Sequence, residues 1–382
     1  MLRDMPRLLA AEIIFSLTVF ALQEVPRGFG GVTLILVTLL ASSLPLLLAA
    51  SRRPRPVVGP RADRVLVPAI FVLALAQLAF AIIRTVKPKI IDIGTTTLAA
   101  VEALAQGGNP YALPIDTLAG GIAGAADGLH GYKYLPMMLV AYGPFCLAFG
   151  LRGIVVASAL LHGATAASVA ALAARIGGKM AGLAAAALYL SLPFVAFQVV
   201  GRGVNDLVAV LPLLLALLVL ERRPGLAGVL VGLSLAAKLM PGAAALLCLV
   251  PAAPFRRRYL AGVAAGLLPI LPFVIADPAA FAANILVFNT IRPVDDTTWL
   301  YGLPGLAAPA ARGVAVVALL AVYAWVWRRP PGLATRCAAT MLAILVVFAV
   351  GPDMHHNYYL WFIPLLAVLA GCAAAGPQQE RP

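Results

Sequence analysis

Charge is what this chain most lacks. Only 11% of its 382 residues are Asp, Glu, Lys or Arg, while 62% are hydrophobic and the mean hydropathy is +0.98. A water-soluble fold of this size could not cover its surface with so few charges. Acidic residues are scarcer than basic ones, 15 against 28, and the net charge is +13. In a soluble protein such an excess would point to nucleic acid. Here the basic residues cluster in short turns between apolar runs, which is the pattern of membrane topology, so no nucleic-acid partner is expected. Cysteine is rare too. Cys146, Cys248, Cys337 and Cys372 all lie in apolar segments, without metal-ligand spacing, which argues against a disulfide framework or zinc site. There is no phosphate-cradling Walker loop, no dinucleotide fingerprint and no zincin motif. No internal repeat or low-complexity stretch is visible.

What is present is a series of continuous apolar runs, long enough to cross a bilayer at about 20 residues each. Lipid cannot satisfy backbone N–H and C=O groups, and the runs do not alternate, so they are read as helices. About twelve are expected, at 8–23, 31–50, 65–83, 153–174, 181–200, 207–221, 225–238, 241–254, 259–276, 306–327, 333–350 and 358–374. Several are short, and short or broken helices in a polytopic protein border cavities. Three parts follow: an N-terminal hairpin with its basic turn (1–64), a membrane domain (65–374) interrupted by a polar loop over 84–152, and a tail (375–382). The first run is read as an anchor, because many others follow it.

The segment 135–149 is apolar but short, and Pro136 and Pro144 punctuate it. If it does not cross, 18 basic and four acidic residues fall on one side, among them Arg52, Arg53, Arg175, Lys179, Arg222, Arg223 and the Arg256–Arg258 run. The other side then takes nine basic and ten acidic residues. By the positive-inside rule the arginine-rich side is cytoplasmic. Nearly every chemically capable side chain then collects on the opposite face, which argues for an active site there.

Asp92, in KIIDIG, can act as a general base at the membrane boundary, or it can cap the amphipathic helix that follows and ends near Gln106. GGNPY (Gly107 to Tyr111) is a turn by composition, and His130, Tyr132, Lys133 and Tyr134 form a basic-aromatic exit from the loop. Arg202, Asn205 and Asp206, in GRGVND, are either solvated or capping residues at a helix mouth, or Asp206 faces Asp92 across a cavity, where it could orient an acceptor or hold a cation. Lys238 is an ionisable residue inside an apolar run: a functional candidate by default, or a snorkelling lysine. Arg292, with Asp295 and Asp296, offers a planar fork suited to phosphate. Trp299 and Tyr301 are either interfacial belt residues or a surface for a sugar ring. His355 and His356 adjoin Asp353, Asn357 and Tyr358. Adjacent histidines diverge on a helix and make a poor metal pair, so hydrogen bonding to a substrate is the better role. His162, inside an apolar run, reads as a packed histidine.

The order of these motifs resembles the GT-C superfamily of polytopic glycosyltransferases. An early outer Asp92 is followed by GGNPY, then YKYLP, GVND, AGVLVGLSLAAKLMP and a late HHNYYLWFIP. It is most similar to glycosyltransferase family 87, the polyprenyl-phosphate-mannose-dependent α-mannosyltransferases, over about residues 65–374. The resemblance implies an all-α GT-C-type membrane protein in the bacterial inner membrane, with juxtamembrane helices in its long first outer loop and its active site facing the periplasm. It implies inverting transfer of a sugar, expected to be mannose, from a polyprenyl-phosphate donor to a lipid or glycan acceptor. Asp92 would be the base, Asp206 the second outer acid, and His355 or His356 the late histidine. Cations chosen from Lys133, Arg202, Lys238 and Arg292 would hold the donor phosphate, with His130, Tyr134 and Asn205 also lining the site. No cofactor is expected, and divalent-metal dependence stays open. The remaining partners are membrane lipids. A lipid or solute transporter is the alternative reading: it would use the same broken helices and Lys238, but it leaves the long Asp92 loop without a purpose.

Overall fold

The computed structural model describes residues 62–115, 129–251, 253–291, 307–328, 332–349, 351 and 355–375. The expected helices at 8–23 and 31–50, most of the basic turn before Arg64, and the residues Arg292, Asp295, Asp296, Trp299, Tyr301 and Asp353 lie outside this set. So does the tail beyond Ala375. Among the described residues every regular element is helical.

The elements are α1 (Asp63–Val86), α2 (Asp92–Ala105), α3 (Met137–Phe149), α4 (Leu151–Leu190), α5 (Leu207–Val219), α6 (Pro224–Ala237), α7 (Leu239–Leu246), α8 (Arg256–Gly266), α9 (Leu271–Ala276), α10 (Pro278–Ala282), α11 (Ala307–Arg328), α12 (Leu333–Ala349) and α13 (Ile363–Ala375). Single π turns lie at Phe197–Gly201 and Ala283–Val287, and a 3₁₀ turn at His356–Trp361 precedes α13. Among the described residues, four apolar stretches reach membrane-spanning length: Asp63–Val86, Leu151–Leu190, Arg256–Ala276 and Pro309–Arg328. The remaining apolar helices are shorter, between 10 and 17 residues. The protein is therefore an all-helical membrane protein. The run expected to continue to residue 254 stops as a helix at Leu246, in an element of only 8 residues.

α4 is 40 residues long but is not one straight rod. Gly178 interrupts it at φ 80°, ψ 179°, a left-handed backbone setting that favours glycine. Beyond this point the chain doubles back. A Cβ added at Gly182 would lie 2.8 Å from both the Ala170 carbonyl and the Ala174 Cβ, and His162 Nδ1 lies 3.0 Å from the Tyr189 hydroxyl. In a straight helix, residues 162 and 189 would be about 40 Å apart. The first limb matches the run expected at 153–174, whereas the run expected at 181–200 stops as this helix at Leu190 and continues as a short helix, Pro193–Ala196, and the π turn Phe197–Gly201. His162 also meets Gln77 Oε1 of α1 through its other ring nitrogen, at 2.5 Å. It ties helices together, as expected of a packed histidine.

α3 has 13 residues, about 20 Å of helix, short of the roughly 30 Å hydrocarbon core. It turns directly into α4 at Gly150 (φ 56°). A Cβ on Gly153 would sit 2.1 Å from the Phe145 carbonyl, so α3 and α4 form a close hairpin.

Two ends of the bundle can be told apart. At one, Lys179 pairs with Asp63 (3.6 Å), and Arg175 with Glu221 (2.5 Å). At the other end of α1, the Arg84 guanidinium donates to the Gly201 carbonyl. Among the described residues, the Arg175–Lys179 turn and the Gly201 loop thus lie at opposite ends of α1.

Lipid gives helices little hydrophobic reason to associate, so close backbone approach through small residues carries the packing. α6 and α8 show this most clearly. Added Cβ atoms at Gly228, Gly232, Gly262 and Gly266 would lie 2.0, 2.3, 2.1 and 2.2 Å from backbone oxygens of the facing helix. Large apolar side chains stay exposed on the outer helices, including Phe71, Val72 and Leu75 of α1 and Val314, Val317 and Leu320 of α11, where lipid would cover them.

Gly228→Val should force α6 from α8 and cost about 1–3 kcal/mol, the usual range for overpacking. Thermal unfolding of the detergent-solubilised protein checks this. Gly143→Ala, with open space around its Cβ position, is the matched substitution that should leave the midpoint unlowered.

Candidate active site

Asp92 opens α2 as its first helical residue, and the carboxylate is exposed. The cap position belongs to Ile91, and no side chain caps the helix. Asp92 is thus not the N-cap, although an acid in the first turn still suits the helix dipole. What holds it in place is its neighbour: Ile91 N–H donates to the Arg202 carbonyl at 3.1 Å. Arg84 reinforces this junction by donating to the Lys89 carbonyl (3.1 Å) as well as to Gly201. Below it, Ile90 and Ile154 pack so closely that Gly94 and Gly203 have no room for a side chain: a Cβ would lie 2.1 Å from Ile90 at the first and 2.9 Å from Ile154 at the second. Gly203 also has φ 70°. The Asp92 helix and the GRGVND loop are therefore one unit. The Arg202 side chain is half-buried and has no partner among the described residues.

Asp206 follows on the same loop and is fully buried. Lys238 Nζ donates to its Oδ1 at 2.6 Å, Trp361 Nε1 to the same oxygen at 2.6 Å, and Asn357 Nδ2 to Oδ2 at 2.8 Å. Lys238 occupies an extended break (φ −144°, ψ 127°) between α6 and α7, which lets its side chain leave the helix line toward the carboxylate. Its ammonium also lies 5.3 Å from the Tyr358 ring centroid and 5.9 Å from that of Trp361, and these two rings stack at 4.4 Å. Lys238 is thus an ion-pair partner at a helix break, not a snorkelling lysine. Beside Asp206, the Asn205 amide is 1% exposed, and neither of its polar atoms has a partner.

The basic-aromatic exit is bound into a second node. Lys133 Nζ donates to the Leu129 carbonyl, to the Gly131 carbonyl (3.0 Å) and to Asn284 Oδ1, and sits 4.7 Å from the Phe288 ring centroid. Asn284, fully buried in the π turn, accepts from Gly131 N–H (3.0 Å) and donates to the Tyr111 carbonyl (2.9 Å). The Tyr111 hydroxyl donates to the Tyr134 carbonyl (2.7 Å), and the Tyr132 hydroxyl meets Thr97 of α2 at 3.0 Å. Burial pushes the Tyr111 and Tyr132 phenols well above their usual range, so both stay protonated. GGNPY is therefore a turn locked onto YKY and onto α2. His130 is half-buried, with its carbonyl accepting from Ile115 N–H at 2.8 Å.

His355 precedes the 3₁₀ turn, its ring edge-on to Tyr358 at 5.7 Å. His356 is the first residue of that turn. Among the described residues no group of three or more His, Cys, Asp and Glu could hold a metal. The structure joins Asp206 to Lys238, and through Asn357 and Trp361 to the segment carrying His355. It joins Asp92 to Arg202 and binds Lys133 into the loop. Arg292 lies outside the described residues. Sequence reasoning missed Arg84, Asn284 and Trp361. Only Arg84 had a local signal, as a cation at the end of a span.

The family model for glycosyltransferase family 87 matches residues 132–352. No curated protein and no solved structure matches. The matched stretch holds Asp206, Lys238 and Asn284; Asp92 and GGNPY precede it, and His355 and Trp361 follow it.

Asn284→Ala should leave Gly131 N–H, the Tyr111 carbonyl and the Lys133 ammonium short of a partner, at about 1–3 kcal/mol for each orphaned group. The expected outcome is faster limited proteolysis between residues 107 and 134 of the full chain. Lys133→Met should open the same loop.

Proposed function

The chain belongs to glycosyltransferase family 87, and on that premise we propose that this membrane glycosyltransferase moves a sugar, mannose, from a polyprenyl phosphate to a lipid or glycan acceptor on the non-cytoplasmic side of the bacterial inner membrane. The observation that carries the reading is Asp92: an exposed carboxylate at the start of α2, seated on the loop that carries Arg202, Asn205 and Asp206. Asp92 takes the proton of the acceptor hydroxyl as that oxygen attacks the anomeric carbon. The bond from that carbon to the phosphate oxygen breaks with inversion, and the phosphate leaves with the electron pair. It leaves already ionised, so positive charge rather than a strong acid supports its departure.

Arg202 is the favoured cation for that phosphate, because its backbone forms the Asp92 junction and its half-buried side chain has no partner among the described residues. Arg292 is a second candidate from sequence. Lys133 and Lys238 are less suited, since their ammonium groups are already engaged by carbonyls and by Asp206. Asn205 offers a substrate hydroxyl one donor and one acceptor. The transporter alternative draws on broken helices and on the intramembrane Lys238, which here is paired with Asp206, and it leaves the exposed Asp92 carboxylate without a role.

Asp92→Asn keeps the side-chain size and removes the base. Transfer of labelled mannose from a polyprenyl phosphate should fall by roughly 10²–10⁴-fold, with donor KM little changed. Near-normal transfer by the folded variant would refute the assignment. Sidedness is checked separately. The Lys179 side chain is 73% exposed at the Gly178 turn, so Lys179→Cys should react with an impermeant maleimide in inverted vesicles and not in intact cells. Labelling in intact cells would invert the topology.

A further inference from the structure

Asp206 stands at the N-cap of α5, where an aspartate ordinarily caps its own helix. It makes no capping bond there. Both carboxylate oxygens instead reach across the fold, to the helix break at Lys238 and to Asn357 and Trp361 on the 3₁₀ turn. The carboxylate is 0% exposed and the Lys238 side chain 12%. Burying such a pair adds little net stability, because desolvation offsets the attraction. Its distinctive property is directional: three donors fix one carboxylate, and the carboxylate fixes three chain segments.

Those segments carry the candidate reacting groups. Four residues before Asp206, Arg202 holds Ile91 and so seats Asp92. Two residues before Asn357 is His355, with its ring against Tyr358. Asp206 has no hydrogen-bonding direction turned toward solvent, and its charge is compensated by Lys238. The geometry points to Asp206 as a positioning residue rather than a ligand for acceptor or cation: with Lys238 it sets the spacing between the Asp92–Arg202 junction and the His355 turn. This inference rests on the reading that Asp92 and the His355 turn flank the reacting sugar.

A double-mutant cycle on the full-length protein in detergent tests it, using Asp206→Asn, Lys238→Met and the double variant. Thermal unfolding is read beside transfer of labelled mannose from a short-chain polyprenyl phosphate to a membrane lipid extract. Each single variant leaves a charge unpaired and should lower the unfolding midpoint. The double variant, with neither charge, should recover much of that midpoint. Its kcat should stay about 10²-fold down, the scale of a small misplacement of reacting groups, with donor KM unchanged. A double variant that regains both midpoint and kcat would make the pair merely structural and overturn the proposal. So would a raised donor KM with unchanged kcat in Asp206→Asn, which would make Asp206 a binding residue. Recovery of Asp206→Asn by excess divalent cation would make it a metal ligand, with the same consequence. Asp92→Asn is run alongside. If it keeps its activity, the catalytic reading fails by itself, whereas failure of the cycle with Asp92→Asn inactive falls on the positioning role alone.

Discussion

A carboxylate with no access to water must find its donors inside the protein. Asp206 finds three, one at the Lys238 helix break and two on the 3₁₀ turn that carries Asn357 and Trp361. That requirement organises the end of the bundle where the candidate site sits. α6 has to break at Lys238 so that the ammonium can reach the acid, and the segment before α13 winds as a 3₁₀ turn that presents Asn357 and Trp361 together. Tyr358 stacks on Trp361 beside the ammonium, so aromatic rings line the charge that Asp206 leaves partly uncovered. An unpaired charge here would be costly, because low local polarity strengthens every interaction and every omission alike.

The same limitation of lipid as a solvent explains the packing elsewhere. Glycines on α6 and α8 bring two backbones to distances that no side chain would permit. The α4 hairpin turns at a glycine whose backbone setting other residues rarely adopt. Polar side chains between helices are linked in chains, such as Gln77, His162 and Tyr189. Precise helix placement at this level is what allows the Asp92 helix to rest on the GRGVND loop, with Ile90 and Ile154 packed against Gly94 and Gly203.

The loop segments at 107–115 and 129–135 are held by different means. Asn284 and Lys133 join two loop strands that have no regular secondary structure, and Tyr111 and Tyr132 close the node with buried phenols. A lysine that looked free for phosphate is a structural cross-link. The described segments of the loop form a wall beside α2, joined to it by the Tyr132 hydroxyl at Thr97.

Much of this was legible in sequence. Apolar runs marked the helices, because hydrocarbon selects for length and continuity in ways that a one-dimensional pattern displays. The amphipathic helix after Asp92, its end at Gln106, the turn at GGNPY and the grouping of polar residues at one end of the spans all follow from local composition. The order of the motifs also pointed to the family. Which polar residues meet was decided only by tertiary structure. Asp206 pairs with Lys238 across 32 positions, with Asn357 across 151 and with Trp361 across 155. Lys133 finds Asn284 across 151. No periodicity encodes such separations. They arise because helices pack through small residues at fixed distances, and each buried polar group must take whichever partner that packing brings within reach.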